Sequence, residues 1–166
     1  MVKAELKRKA ERVLRTLLKT YGQPVWRKPL PPLDELVSTI LSQNTNDSNR
    51  DRAFDALRSA FVDWAAVRDA PTEAVIAAIW PAGLANQKGP RIQQVLRQIT
   101  AERGELSLQF LGELPVEEAR RWLLRFKGVG PKTAAIVLLF AFRRPAFPVD
   151  THVHRVTGRL GLRPHG

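Results

Sequence analysis

Residues 126–155 read FKGVGPKTAAIVLLFAFRRPAFPVDTHVHR, and this stretch decides how the rest of the chain is read. Lys127-Gly128-Val129-Gly130 separates the helical pattern that ends near Phe126 from a helix opening at Pro131. Proline is favoured in a first helical turn because its missing N–H would have no partner there anyway. Two glycines in the turn allow positive φ and close approach of another backbone. The pattern is a helix–hairpin–helix, whose turn amides and following helix N-terminus suit an anion such as a DNA phosphate. Two charges in this stretch need explaining. Lys132 lies in the first turn of the second helix, where the helix end is already partly positive and a cation is disfavoured. Asp150 is the single acid from Ala119 to the end, against ten Lys or Arg.

Each charge has a plain and a chemical reading. Lys132 is either a solvated phosphate contact or an amine that the helix end and partial burial keep neutral, and a neutral amine attacks a sugar carbon. Asp150, after a proline-rich connection, serves as a helix N-cap. It is equally able to stabilise positive charge on a sugar ring or to take a proton from the attacking amine.

Working outward, the periodicity predicts an all-α helical bundle of about eight to ten short helices with no strand alternation. Residues 3–20 carry Val13, Leu14, Leu17 and Leu18 at helical spacing on a charged surface, and 21–32, with four prolines, is a loop. Further helices are expected at Leu33–Leu41, Asp47–Phe61, Pro71–Ile79, Pro90–Arg103, from Pro115 to about Phe126, Pro131–Phe142, and from Asp150 or Thr151 onward. Pro131–Phe142, apolar on every side after its first turn, reads as a buried central helix.

Composition bounds the partners. The 166 residues carry a net charge of +11, with 44% apolar residues, enough for a core. Residues 1–20 hold seven basic residues against two acids, so positive charge gathers at both ends of the chain. Such a balance favours a polyanion, and binding to nucleic acid on this basis falls as salt rises. No apolar run is long enough for a membrane span, and no secretory or other targeting signal is visible. The expected setting is the cytoplasm, with the nucleoid, or the nucleus. There are no cysteines, which excludes disulfides and thiolate-held metals in this chain. His152, His154 and His165 are too few and too clustered for a zinc site.

The block LLRFKGVGPKTAAIVLLFAFRRPAFPVDTHVHRV resembles the helix–hairpin–helix plus Gly/Pro…Asp signature of base-excision DNA glycosylases, closest to the endonuclease III family. Gly128, Val129, Gly130, Lys132, Thr133 and Ala134 match its first half; Val149, Asp150, Thr151, His152, Arg155 and Val156 match its second, 18 residues on. The likeness runs upstream through ILSQNTN and AGLANQKGPRI, over about residues 33–162. The resemblance implies a DNA-glycosylase fold and a bifunctional glycosylase/AP lyase acting as a monomer on double-stranded DNA with a damaged base or abasic site. The damaged nucleotide, an oxidised pyrimidine by family expectation, would be flipped into a pocket between two lobes. Lys132 would form a Schiff base at the sugar C1′ and Asp150 would assist. Lys127, Gly128, Val129, Gly130, Thr133, His152 and Arg155 would contact DNA. Gln43 would fill the gap left by the flipped base, and Leu84 would wedge the stack.

The resemblance also implies a layout. Residues 1–22 would be a basic helix packing on a second lobe. Residues 23–132 would form a helical domain ending in the hairpin motif, at about 115–142. Residues 133–166 would begin the second lobe, truncated before the family's cluster region. Relatives carry cysteines for a 4Fe-4S cluster near the C-terminus; this chain has none and runs 16 residues past Asp150. Lys127 replaces the family's proline, and Asn46, followed by Asp47, stands where relatives often have an acid. A monofunctional adenine-specific relative would lack Lys132 and carry a glutamate near residues 36–43, where this chain has none. The alternative is a non-catalytic helix–hairpin–helix binding module, or an inactive fragment.

Overall fold

A computed structural model describes residues 2–26 and 28–163; His165 lies outside them. Nine α-helices and two 3₁₀ turns make up the regular structure of these residues. They are α1 Val2–Tyr21, α2 Pro32–Ser42, α3 Asp47–Ala60, α4 Trp64–Asp69, α5 Thr72–Ala78, α6 Ala85–Arg103, α7 Val116–Leu123, α8 Pro131–Phe142 and α9 Thr151–Arg159. The 3₁₀ turns span Trp80–Ala82 and Gln109–Gly112. No strand is present among the described residues.

The chain divides into two units, one of Pro29–Pro148 and one formed by the residues up to Lys28 with those from Val149 on. A division after Lys132 would cut α8, which lies whole in the larger unit. That unit holds the core. Leu36, Ile40 and Leu41 of α2, Ile92, Leu96 and Ile99 of α6, and Ala134, Val137 and Leu138 of α8 are all fully buried. Helix α2 packs on α8, α3 and α6, and α5 packs on α6. In the smaller unit, Leu14 and Leu17 of α1 are exposed, while Val13 and Leu18 are half-buried.

Two elements depart from the sequence pattern. Helix α4, in a segment the pattern leaves unassigned, is started by Asp63, whose Oδ1 accepts the Ala66 N–H at 2.7 Å. Trp64 then buries itself and donates through Nε1 to Asp34 Oδ1 at 2.6 Å. Helix α6 begins at Ala85, and Pro90 lies inside it rather than at its start. Proline removes one backbone donor and crowds the preceding turn, but Leu84 already closes the first turn by accepting from the Gln87 and Lys88 N–H groups.

Buried Gln93 of α6 ties the short helices to this frame. Its Nε2 donates to Val67 O at 3.0 Å and Ala70 O at 2.8 Å, and its Oε1 accepts from Thr72 Oγ1 at 2.7 Å. The amide thereby satisfies carbonyls of the α4–α5 connection that burial would otherwise leave costly.

Candidate active site and nucleic-acid interface

Of the two hairpin glycines, Gly128 alone takes a positive φ. Helix α7 tightens at its end, with Phe126 N–H donating to Leu123 O and Val129 N–H to Phe126 O. Gly128 has φ +84°, a left-handed conformation that favours glycine. What comes close to it is a side chain, not a backbone. A Cβ at Gly128 would lie 2.3 Å from Arg91 Cδ and 2.5 Å from Arg91 Nε. Gly130 has ordinary φ, −93°, and caps α8 by accepting the Ala134 N–H.

Val129 and Thr133 are buried, at 4% and 5% exposure. Their side chains anchor the hairpin in the core, so a phosphate would meet only their main-chain groups. Lys127 is exposed. Lys132 is exposed as well, at the second position of α8, and the partial burial expected from the sequence is absent. Its amine stands at the surface because the inward-facing positions of α8's first turns are taken by Thr133 and Ala134.

Gln43 follows α2 in an extended conformation, just before Asn44 at φ +53°. Its Nε2 donates to Gly128 O at 2.9 Å, and its Oε1 accepts from Arg91 Nη1 at 3.1 Å. A cleft of about 240 Å³ beside this group is lined by Gln87, Pro90, Arg91, Gln94 and Lys127. Leu84 precedes α6 at φ +51°, unusual for leucine, and is 47% exposed. An apolar residue held both exposed and in a disfavoured backbone state marks a site where the surroundings impose the conformation.

Lys88 is a residue the sequence reading missed. It is buried, and its Nζ donates to Leu41 O and to Ala82 O, both at 2.8 Å. It thereby fastens the end of α2, ahead of Gln43, to the loop carrying Leu84. Burial lowers its pKa, and nearby Arg91 lowers it further. One signal was available: the inner stripe Ile92, Val95, Leu96, Ile99 runs back by four residues to Lys88. Arg91 was missed too, though Leu84, Gln87, Arg91 and Gln94 repeat at helical spacing along one edge of α6. Glu35, one residue before the stretch inspected for an acid, is buried in α2, with Thr39 Oγ1 donating to its Oε1 at 3.4 Å.

In the smaller unit, Asp150 caps α9, its Oδ1 accepting the Val153 N–H at 2.8 Å. His152 and Arg155 are exposed on that helix, and Arg155 Nη2 lies 3.1 Å from His152 Nδ1. Arginine only donates, so Nδ1 is the acceptor. No group of three or more His, Cys, Asp or Glu suited to a metal occurs among the described residues. With no cysteine in the chain, nothing here fits a thiolate-held cluster.

The family model described as HhH-GPD superfamily base excision DNA repair protein matches residues 37–165. An Arabidopsis thaliana protein whose name assigns it provisionally to the DNA glycosylases is 45% identical over 132 residues, covering 80% of this chain and 45% of that protein. Endonuclease III of Thermotoga maritima is 35% identical over 151 residues, covering 91% of this chain and 66% of that protein. The chain thus spans less than two thirds of either relative. Among solved structures, a non-covalent endonuclease III–DNA complex superposes with a TM-score of 0.75 at 28% identity, covering 93% of this chain and 69% of that one.

Proposed function

Since the chain belongs to the HhH-GPD superfamily of base excision DNA repair proteins, we propose that it is a bifunctional DNA glycosylase/AP lyase that removes a damaged, oxidised pyrimidine base. A single copy of the chain acts on double-stranded DNA carrying that base or an abasic site. The carrying observation is Lys132, an exposed amine one residue past the Pro131 that opens α8, directly after the hairpin. An amine in that place has both the access and the anchoring that a nucleophile toward a sugar carbon needs.

Nζ of Lys132 attacks C1′ through its lone pair, the glycosidic C–N bond breaks, and the base leaves with its electron pair and a proton. Ring opening gives an iminium between Nζ and C1′. Loss of a C2′ proton then expels the 3′ phosphate by β-elimination, and water releases the lysine. The Asp150 carboxylate stabilises positive charge on the sugar and relays protons. Gln43 enters the space vacated by the flipped nucleotide, and Leu84 wedges the stack beside it.

Borohydride trapping tests this reading on two duplexes, one with an abasic site and one with thymine glycol. The wild type is expected to form a covalent complex on both, and Lys132→Ala on neither. Trapping on the abasic duplex alone would leave a lyase without the glycosylase step. No trapped complex, with DNA binding intact, would replace the enzyme by a binding module.

A further inference from the structure

Gln43 does not stand alone before DNA arrives. Its amide is held at both ends: Nε2 donates to Gly128 O at 2.9 Å, and Oε1 accepts from Arg91 Nη1 at 3.1 Å. The opposite flip of the amide would set oxygen against the Gly128 carbonyl and an N–H against the guanidinium, losing both bonds at once. The two partners therefore select one orientation of the glutamine. Arg91 reaches this position only because residue 128 has no side chain. Its Cδ, Nε and Cζ lie 2.3, 2.5 and 2.9 Å from where a Cβ would be. A planar guanidinium there presents a fixed fork of donors, as an ammonium on a flexible stem does not.

We propose that Arg91 is a positioning residue: lying on Gly128, it fixes the orientation of the Gln43 amide, so that Gln43 enters the duplex preorganised against the base opposite the lesion. The proposal rests on the reading of Gln43 as the residue that fills the gap. It also gives the hairpin glycine a second use, to seat an arginine of α6 rather than only to bring a phosphate close. Preorganisation of this kind lowers the ordering cost of binding and leaves the bonds to DNA unchanged in kind.

The test uses the full chain in a Lys132→Ala background, which removes the amine chemistry. The duplex carries a tetrahydrofuran abasic analogue opposite 2-aminopurine, whose fluorescence rises when it unstacks. Binding is followed separately by anisotropy, and folding by thermal melting. Relative to the background, Gln43→Ala is expected to lose the fluorescence rise at saturation. Arg91→Ala should lose it to a similar extent, by about fivefold, and the double variant should be no worse than Gln43→Ala alone. Arg91→Lys, which keeps the stem on Gly128 and so guards against a folding failure, is expected not to restore the signal.

A double variant whose losses multiply would overturn the proposal, since Arg91 would then touch DNA on its own account. Full restoration by Arg91→Lys would overturn it as well, leaving only a charge effect. An unchanged signal in Gln43→Ala would also sink it, while a positive borohydride trap by the chain that keeps Lys132 would show that the glycosylase/lyase reading survives.

Discussion

A buried lysine of α6 ties the end of α2 to the turn ahead of Leu84. Lys88 holds Leu41 O and Ala82 O together, and Lys88→Met would leave both buried carbonyls without that donor. A destabilisation of about 2 kcal/mol is expected from the lost charge-assisted bonds. Its pH dependence has a definite sign. The folded pKa lies below the ordinary 10.5, first through burial and then through Arg91. Between those two values the unfolded chain binds more protons than the folded one, so stability rises with pH across that window. The cost of charging Lys88 is fully present below the folded pKa and is relieved as pH climbs toward 10.5. Urea denaturation at about pH 7 and about pH 10 should therefore show the wild type gaining on Lys88→Met at the higher pH. A gap that is constant or narrows would contradict this account.

At the scale of elements, substitution can separate the capping role of Asp150 from the catalytic role proposed for it. As the N-cap of α9 it accepts the Val153 N–H, and asparagine at the same place caps equally well. Asp150→Ala should then cost about 1 kcal/mol of stability, and Asp150→Asn only a few tenths. The negative charge is lost in both. If the carboxylate serves catalysis, borohydride trapping should slow by at least about a hundredfold in Asp150→Asn, despite its intact cap. A variant that traps at the wild-type rate would reduce Asp150 to a capping residue. The same logic sets Lys132 apart from Thr133 beside it. The threonine is buried and holds α8 in the core, while the lysine is exposed at the surface, so Lys132→Ala should change stability by no more than about 0.5 kcal/mol.

Across the whole molecule, burial is uneven. Among the described residues, every apolar side chain of the core lies in the larger unit, between Leu36 and Leu138. The smaller unit, described by α1 and α9, buries only Gly158 among its described residues and leaves Leu14, Leu17, Val156 and Leu160 exposed. Local opening is easiest where few apolar groups are buried. Hydrogen exchange followed by mass spectrometry should accordingly show amides of α1 exchanging at least about tenfold faster than those of α2 and α8. Equal protection across the three helices would refute that ordering.

What the sequence determined by itself is what nearest neighbours along the chain control. Proline and glycine punctuation placed α8 and the hairpin, Asp150 marked the start of α9, and 3.6-residue periodicity established an all-helical chain. These are effects of one or two helical turns, so they are legible without packing. The same locality explains the misreading of α6: proline is a sound start signal taken alone, and only the closure of the turn by Leu84 carries the helix further back. The tertiary structure decided everything that depends on residues far apart. Gln43 meets Arg91 across 48 residues and Gly128 across 85. Lys88 is buried because its helix packs there, although nothing in its own side chain predicts it. Such contacts form only when α2, α6 and the hairpin are brought together by a shared core, and their energies depend on that packing.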